Sequence, residues 1–195
     1  LIHEISPKTS DLLVSFGERL STALVSAILT QRGLPVRFLD ARDLVKTNNQ
    51  FGKADVRFDE TNSLIQHYFN THSDEIALIT GFIGSNDAGE TTTLGRGGSD
   101  YSASIFGAAL NVKEIEIWTD VDGMMTADPR KVSAAFTIPS ISYAEAMELT
   151  HFGAKVIYPP SLQPAFAKNI PIRVLNTFNQ SFKGTVVSKV SSPSP

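Results

Sequence analysis

"EIALITGFIGSNDAGETTTLGRGGSDYSASIFGAALNVKEIEIWTD" (residues 75–120) is the stretch whose reading decides the fold. Its first ten residues, "EIALITGFIG" (75–84), form a continuous apolar run that stops at glycine. Such a run predicts a strand buried on both faces. A polar, glycine-rich loop then leads through "TTTLGRGGSD" (91–100) into "SDYSASIFGAALN" (99–111). That segment reads as a small-residue helix with Ser99 or Asp100 near its N-cap. "KEIEIWTD" (113–120) is the next strand, alternating at first and turning polar at Thr119 and Asp120.

The flanks repeat the order. Upstream, Leu13, Phe16, Leu20, Leu24, Ala27 and Ile28 recur at threes and fours, which predicts an amphipathic helix resting on that apolar face. Ser10 or Asp11 is placed to cap it, and Gly33 followed by Pro35 ends it. "VRFLD" (36–40) reads as a short strand and 59–72 as a weak helix. Downstream, helical patterns at 143–151 and 160–168 precede the strand "IPIRVLN" (170–176) and a last strand at "GTVVS". Strand, loop and helix in repeated order predict one α/β domain whose largely parallel sheet is covered by helices on both faces.

Composition narrows the function. The 195 residues are 42% hydrophobic and carry 17 basic against 20 acidic side chains, a net charge of −3. A nucleic-acid partner usually demands a basic excess, so none is expected. No apolar run approaches a bilayer span and no signal-peptide pattern opens the chain, so no membrane association is expected. Cysteine is missing, which excludes disulfides and thiol chemistry and fits a reducing, cytoplasmic compartment. The sequence starts at Leu1 without methionine and closes on a Ser/Pro tail, "SSPSP". Both ends read as cut from a longer protein.

Chemistry concentrates beyond the carboxyl ends of the predicted strands, where open α/β sheets bind ligands. Six of the thirteen glycines fall within residues 81–98, although glycine costs backbone entropy wherever it is fixed. Gly97, Gly98 and Ser99 leading into a helix would offer N–H groups and a positive helix end to an anion; a plain turn with an N-cap fits the same spacing. Arg96 among them can hold a carboxylate or phosphate by paired hydrogen bonds, or simply face water. Asp100 can favour the helix dipole or place negative charge beside a metal or amine. In "WTDVDGMMTADPR" (118–130), Asp122 and Asp128 fit turns, whereas Thr119 and Asp120 close a strand where a ligand edge can be read. Glu18 lies well off the apolar face of the first helix, as a water-facing glutamate would. Lys155 can cover apolar surface with its stem or reach a phosphate. The histidines (His3, His67, His72, His151) lack zinc-site spacing, so no metal site is expected from the protein alone, and no GxSxG elbow is present.

Four segments in order, "SFGERLST" (15–22), "GFIGSNDAGETTTLGRGGSDYSA" (81–103), "WTDVDGMMTADPR" (118–130) and "FGAKVIYP" (152–159), resemble the catalytic domain of aspartate kinase, in the amino-acid kinase superfamily. The resemblance runs through nearly the whole chain, and its "TTTLGRGGSD" differs from the loops of relatives acting on glutamate, acetylglutamate, carbamate or UMP. It implies a three-layer αβα sandwich, here truncated at the N-terminus. It implies phosphoryl transfer from MgATP, with ATP and Mg²⁺ as cofactors, to the side-chain carboxylate of L-aspartate. The product, 4-phospho-L-aspartate, feeds lysine, threonine and methionine synthesis.

By the same resemblance, Glu18 receives the substrate ammonium, and Arg96, Gly97, Gly98 and Ser99 hold its α-carboxylate end. Thr119, Asp120, Met125, Arg130 and Lys155 serve the nucleotide, and Asp100 and Lys155 act at the transfer centre. Met125 stands where many members carry tyrosine, and Tyr158 where many carry histidine. The family's opening Lys-Phe-Gly-Gly-Thr-Ser segment, its ACT regulatory domains and the homoserine dehydrogenase that often follows have no counterpart in the sequence, and Lys8 is not equivalent to the missing lysine. Residues 1–189 are therefore expected to be a partial kinase domain and 190–195 a flexible tail. The piece alone is expected to be inactive, its full-length parent an active homo-oligomer. A non-catalytic nucleotide-binding or regulatory module with the kinase fold is the alternative.

Overall fold

The computed structural model describes residues 5–72, 76–128, 130–151, 157–158 and 162–189. It divides into two compact units, Leu1–Ser102 and Ala103–Pro195.

In the first unit, helix α1 (Pro7–Gln31) precedes β1 (Val36–Leu39), α2 (Ala41–Leu44), α3 (Phe58–Thr71) and β2 (Ile76–Ile79). Strands β3 (Ile83–Ser85) and β4 (Thr91–Thr93) follow, and α4 (Gly98–Leu110) begins here. β1 and β2 pair in parallel with Val36 opposite Ile76, while β3 and β4 form an antiparallel hairpin with Ile83 opposite Thr93. The apolar run 75–84 is therefore not one strand. It breaks at Thr80–Phe82, where Phe82 takes a positive φ of 68°. The expected loop 91–100 opens with a strand, because Thr91, Thr92 and Thr93 are buried with their hydroxyls bonded inside the protein. Thr92 Oγ1 lies 2.7 Å from Thr47 Oγ1, and Thr93 Oγ1 donates to Asp11.

Helix α1 forms where the periodicity placed it but presents the opposite face. Asp11, Ser15, Thr22 and Ser26 are buried, whereas Leu13, Leu20 and Leu24 are 53–67% exposed. The inward face carries small side chains and packs on β1 and on β4, where Thr93 offers its hydroxyl to Asp11. The outward face is a long apolar stripe extending to Val25 and Ile28. By length and composition α1 could cross a membrane, contrary to the reading of the apolar runs. Its N-cap is Ser6, which accepts from Thr9 N with Pro7 next in line, rather than Ser10 or Asp11. Gly33, at φ 81°, ends it as expected.

The second unit holds β5 (Ile115–Thr119), β6 (Ser140–Ser142), α5 (Tyr143–His151), α6 (Gln163–Ala167), β7 (Ile172–Asn176) and β8 (Thr185–Ser188). These strands form one mixed sheet in the order β5-β7-β8-β6. β5 runs parallel to β7 and β6 parallel to β8, while β7 and β8 are antiparallel. Ile172, Val174 and Val187 are fully buried between Met124, Leu162 and Ala165. Tyr143 stacks on Phe166 and donates its hydroxyl to Ile170 O at 2.8 Å. The small residues of α4 have a reason: a Cβ at Gly107 would stand 2.5 Å from Ile115 Cδ1. In this unit the carboxyl ends of β5 and β7 lie side by side, with Thr119 opposite Asn176.

Candidate functional site

A cleft of about 440 Å³ in the first unit is lined by Glu18, Phe82, Gly95, Arg96, Gly97, Gly98, Ser99 and Asp100. Helix α1 brings Glu18 there because residue 18 follows Asp11 by two turns, which puts both on one face. That face points inward, so Glu18 is half-buried rather than water-facing. The remaining lining comes from the segment between β4 and α4, from the first turn of α4 and from the bend before β3.

That segment is wound tightly. Gly95 and Gly97 take φ of 74° and 70°, a region that L side chains enter only at a cost. Gly98 N donates to Gly95 O at 3.0 Å, so this amide is engaged within the turn rather than offered to a ligand. A Cβ at Gly98 would stand 2.6 Å from Phe82 Cδ2, which explains why no side chain fits there. Phe82 is itself strained and is pinned from both sides. Its N–H donates to Ser102 Oγ at 2.9 Å, and its carbonyl accepts from Leu94 N at 2.9 Å. Non-glycine residues held at positive φ concentrate at functional sites. Helix α4 starts at Gly98, so Ser99 and Asp100 stand in its first turn, where N–H groups lack intrahelical acceptors.

Asp100 is half-buried, and that burial pushes its carboxyl above the usual aspartate range. The charge of its ionised form is thus carried at a cost, despite the helix end beside it. Among the described residues there is no cluster of three or more His, Asp or Glu able to hold a metal ion by themselves.

In the second unit, Thr119 and Asp120 stand at the carboxyl end of β5, with Thr119 Oγ1 donating to Asp120 Oδ1 at 3.2 Å. Thr177 N donates to Thr119 O at 2.8 Å, and Asp122 Oδ1 accepts from both Asn176 Nδ2 and Asn179 Nδ2. Asp122 therefore laces the loop after β5 to the turn after β7, a task its turn-forming spacing did not reveal. Met125 bridges Thr137, and its neighbour Met124 is core. Arg130 is exposed and clasped by Asp128 through paired bonds of 3.0 Å. Lys155 lies outside the described residues, as does the tail 190–195.

The amino acid kinase family profile matches residues 2–176, and the chain belongs to that family. It is 43% identical over 190 residues to lysine-sensitive aspartokinase 3 of Escherichia coli, covering 96% of this chain and 42% of that protein. It is 39% identical over 183 residues to the chloroplastic bifunctional aspartokinase/homoserine dehydrogenase 2 of Arabidopsis thaliana, covering 93% of this chain and 20% of the relative. The crystal structure of E. coli aspartokinase III with aspartate and ADP, in its R-state, superposes with a TM-score of 0.93 at 40% identity, covering 99% of this chain and 43% of that one. The chain thus spans less than half the length of these relatives.

Proposed function

We infer that the chain supplies the acceptor and nucleotide sites of an aspartokinase, which transfers the γ-phosphoryl of ATP to the side-chain carboxylate of L-aspartate. The observation that carries this reading is the pairing, in one cleft, of a half-buried carboxylate, Glu18, with the guanidinium of Arg96 and the start of α4. A substrate with one ammonium and two carboxylates needs a fixed anion for the first and a fixed cation for one of the second. Glu18 takes the ammonium. Arg96, with the backbone of Gly97 and Ser99, takes the α-carboxylate, while Gly98, whose N–H is engaged by Gly95 O, shapes the turn between them. The β-carboxylate is left to attack the γ-phosphorus in line with the departing ADP oxygen.

Thr119 and Asp120 receive the nucleotide in this reading, with Met125 and Arg130 beside it. Arg130 must then exchange Asp128 for a phosphate or ribose oxygen, a small cost because both side chains stand at the surface. Lys155 belongs to the same set by its motif. Magnesium, when bound, neutralises phosphate charge. It is typically held by the phosphates, waters and one or two carboxylates, and Asp100 is a carboxylate that the cleft offers for this. The chain's own contribution is alignment and electrostatics, which dominate phosphoryl transfer.

The decisive experiment incubates the longest natural polypeptide carrying this chain with aspartate, MgATP and hydroxylamine. Aspartyl hydroxamate is the expected product. No trapped hydroxamate and no ADP release in response to aspartate would overturn the reading, and no ADP release at all would favour a non-catalytic module of the same fold.

Asp100 gives a second test that separates stability from catalysis. A carboxyl with a raised folded-state pKa contributes stability below its unfolded value, about 3.9, and loses it as pH rises through the folded value. Asp100→Asn is therefore expected to be more stable than the parent at pH 7. That advantage shrinks as urea titrations are repeated toward pH 4. Turnover falls at least about tenfold if the carboxylate organises charge at the transfer centre. Lower stability at pH 7, or unchanged turnover, contradicts the assignment.

A further inference from the structure

Asp11 takes no part in the sites above, yet among the described residues of the first unit it is the charged residue most completely enclosed, at 3% exposure. Each of its carboxylate oxygens is used. Oδ2 accepts from Gly52 N at 2.8 Å and from Thr93 N at 2.9 Å, and Oδ1 accepts from Thr93 Oγ1 at 2.8 Å. These bonds join three segments that are far apart in sequence. One is α1, which carries Glu18 two turns further along the same face. The second is the end of β4, three residues before Arg96. The third is the turn at Gly52, whose carbonyl oxygen and neighbouring Lys53 side chain abut Gly95, 3.2 Å from where its Cβ would stand. Ala54 N also donates to Thr93 O at 2.8 Å, so Thr93 is bonded through both backbone groups and its hydroxyl.

We propose that Asp11 is a positioning residue that fixes the separation between Glu18 and Arg96, and so matches the cleft to an acceptor of aspartate's length. The inference rests on the acceptor site assigned above. Buried charge-assisted bonds to backbone N–H groups are among the stronger ones in proteins. A helix held at one point by two of them, from Gly52 N and Thr93 N, and by the Thr93 hydroxyl cannot slide along β4 without breaking both bonds to Thr93. Without them α1 would be held by small side chains and by two partly exposed ion pairs, Lys8 with Glu90 and Arg19 with Asp40, which resist sliding more weakly. Glu18 would then drift relative to Arg96 while both side chains remained intact. Displacements of about 1 Å at a positioning group can cost about a hundredfold in rate.

The test compares substitutions by which substrate they affect. Asp11→Ala in the longest natural polypeptide is expected to raise the KM for aspartate at least tenfold and leave the KM for ATP within twofold. Asp11→Asn should recover the aspartate KM to within about threefold of the parent. Its amide oxygen can accept both N–H groups, and its NH₂ can donate to Thr93 Oγ1 once that hydroxyl turns to accept. Should Asp11→Ala fail to fold, Thr93→Val decides by the same split, with an expected three- to tenfold rise for aspartate alone. Equal shifts in both KM values, no shift, or an Asn variant no better than Ala overturns the proposal. A parent with no aspartate-dependent turnover overturns the acceptor site and this inference together. A parent with turnover but variants without the split overturns this inference alone.

Discussion

Arg96→Leu in the longest natural polypeptide is expected to lower kcat/KM for aspartate at least about a hundredfold, or about 2.7 kcal/mol of transition-state binding, with the ATP KM within twofold. The reasoning is electrostatic and geometric. Arg96 lines the cleft and is flanked by Gly95 and Gly97, both at positive φ. A guanidinium grips a carboxylate by two parallel bonds, and leucine leaves that carboxylate with only the start of α4. Arg96→Lys keeps the charge but loses the fork, and should fall between the two. Glu18→Gln tests the other pole. It should raise the aspartate KM about tenfold, and combined with Arg96→Leu it should add less than the sum, because both groups act on one substrate. Steady-state kinetics with each substrate varied in turn measures all of this. An aspartate KM unmoved by Arg96→Leu would remove the acceptor site from this cleft.

The largest effect on folding is expected at Gly184. It sits at φ 64°, one residue before β8, and a Cβ there would fall well inside contact distance of the carbonyl oxygen of Val174 on β7, with Val174 C at 3.0 Å. Backbone cannot yield as a side-chain tip does. Gly184→Ala would carry the penalty for alanine in the left-handed region, about 1 kcal/mol, and would force β8 away from β7. That would break the pairing of Thr185 with Val174 and move the Thr185 hydroxyl, which accepts from Met124 N at 2.8 Å and donates to Ile138 O at 2.7 Å. Destabilisation of about 4 kcal/mol or more is expected, in the range reached only by strain or buried-polar failures. Gly89→Ala is the matched control, because it shares a positive φ of 72° but has open space around its Cβ. It should cost about 1 kcal/mol. Urea unfolding monitored by circular dichroism compares the two. Equal costs would show that the Val174 carbonyl can retreat.

The two units show how far pattern reading reaches. "IPIRVLN", "KEIEIWTD" and "GTVVS" each became strands near their expected bounds, because short runs rich in β-branched residues pack well on a pleated, half-buried surface. The run 75–84 did not stay whole. Hydropathy gives no sign of a bend at Phe82, which depends on the Ser102 hydroxyl twenty residues away. Likewise, the three threonines of 91–93 read as loop because their hydroxyls look polar. Thr92 and Thr93 are buried only because Thr47 and Asp11 arrive to bond them. Asp11 itself read as a helix cap, a local role, and no local signal points to its actual partners at Gly52 and Thr93.

Helix α1 separates the two kinds of information most clearly. Its period and its glycine stop are local, set by the 3.6-residue repeat and by φ at Gly33, so sequence determined that a helix stands there. Sequence also determined the chemistry of the cleft, since the glycines, Arg96, Ser99 and Asp100 are contiguous and Glu18 opposes the apolar stripe. Which face of α1 turns inward is not local. Burying an apolar face is favourable only where an apolar surface is available to receive it, and β4 offers threonine hydroxyls and backbone N–H groups instead. Tertiary structure therefore decided that Asp11 and Ser15 go in and Leu20 and Leu24 stay out. That inversion carries Glu18 from the solvent side into the cleft beside Arg96.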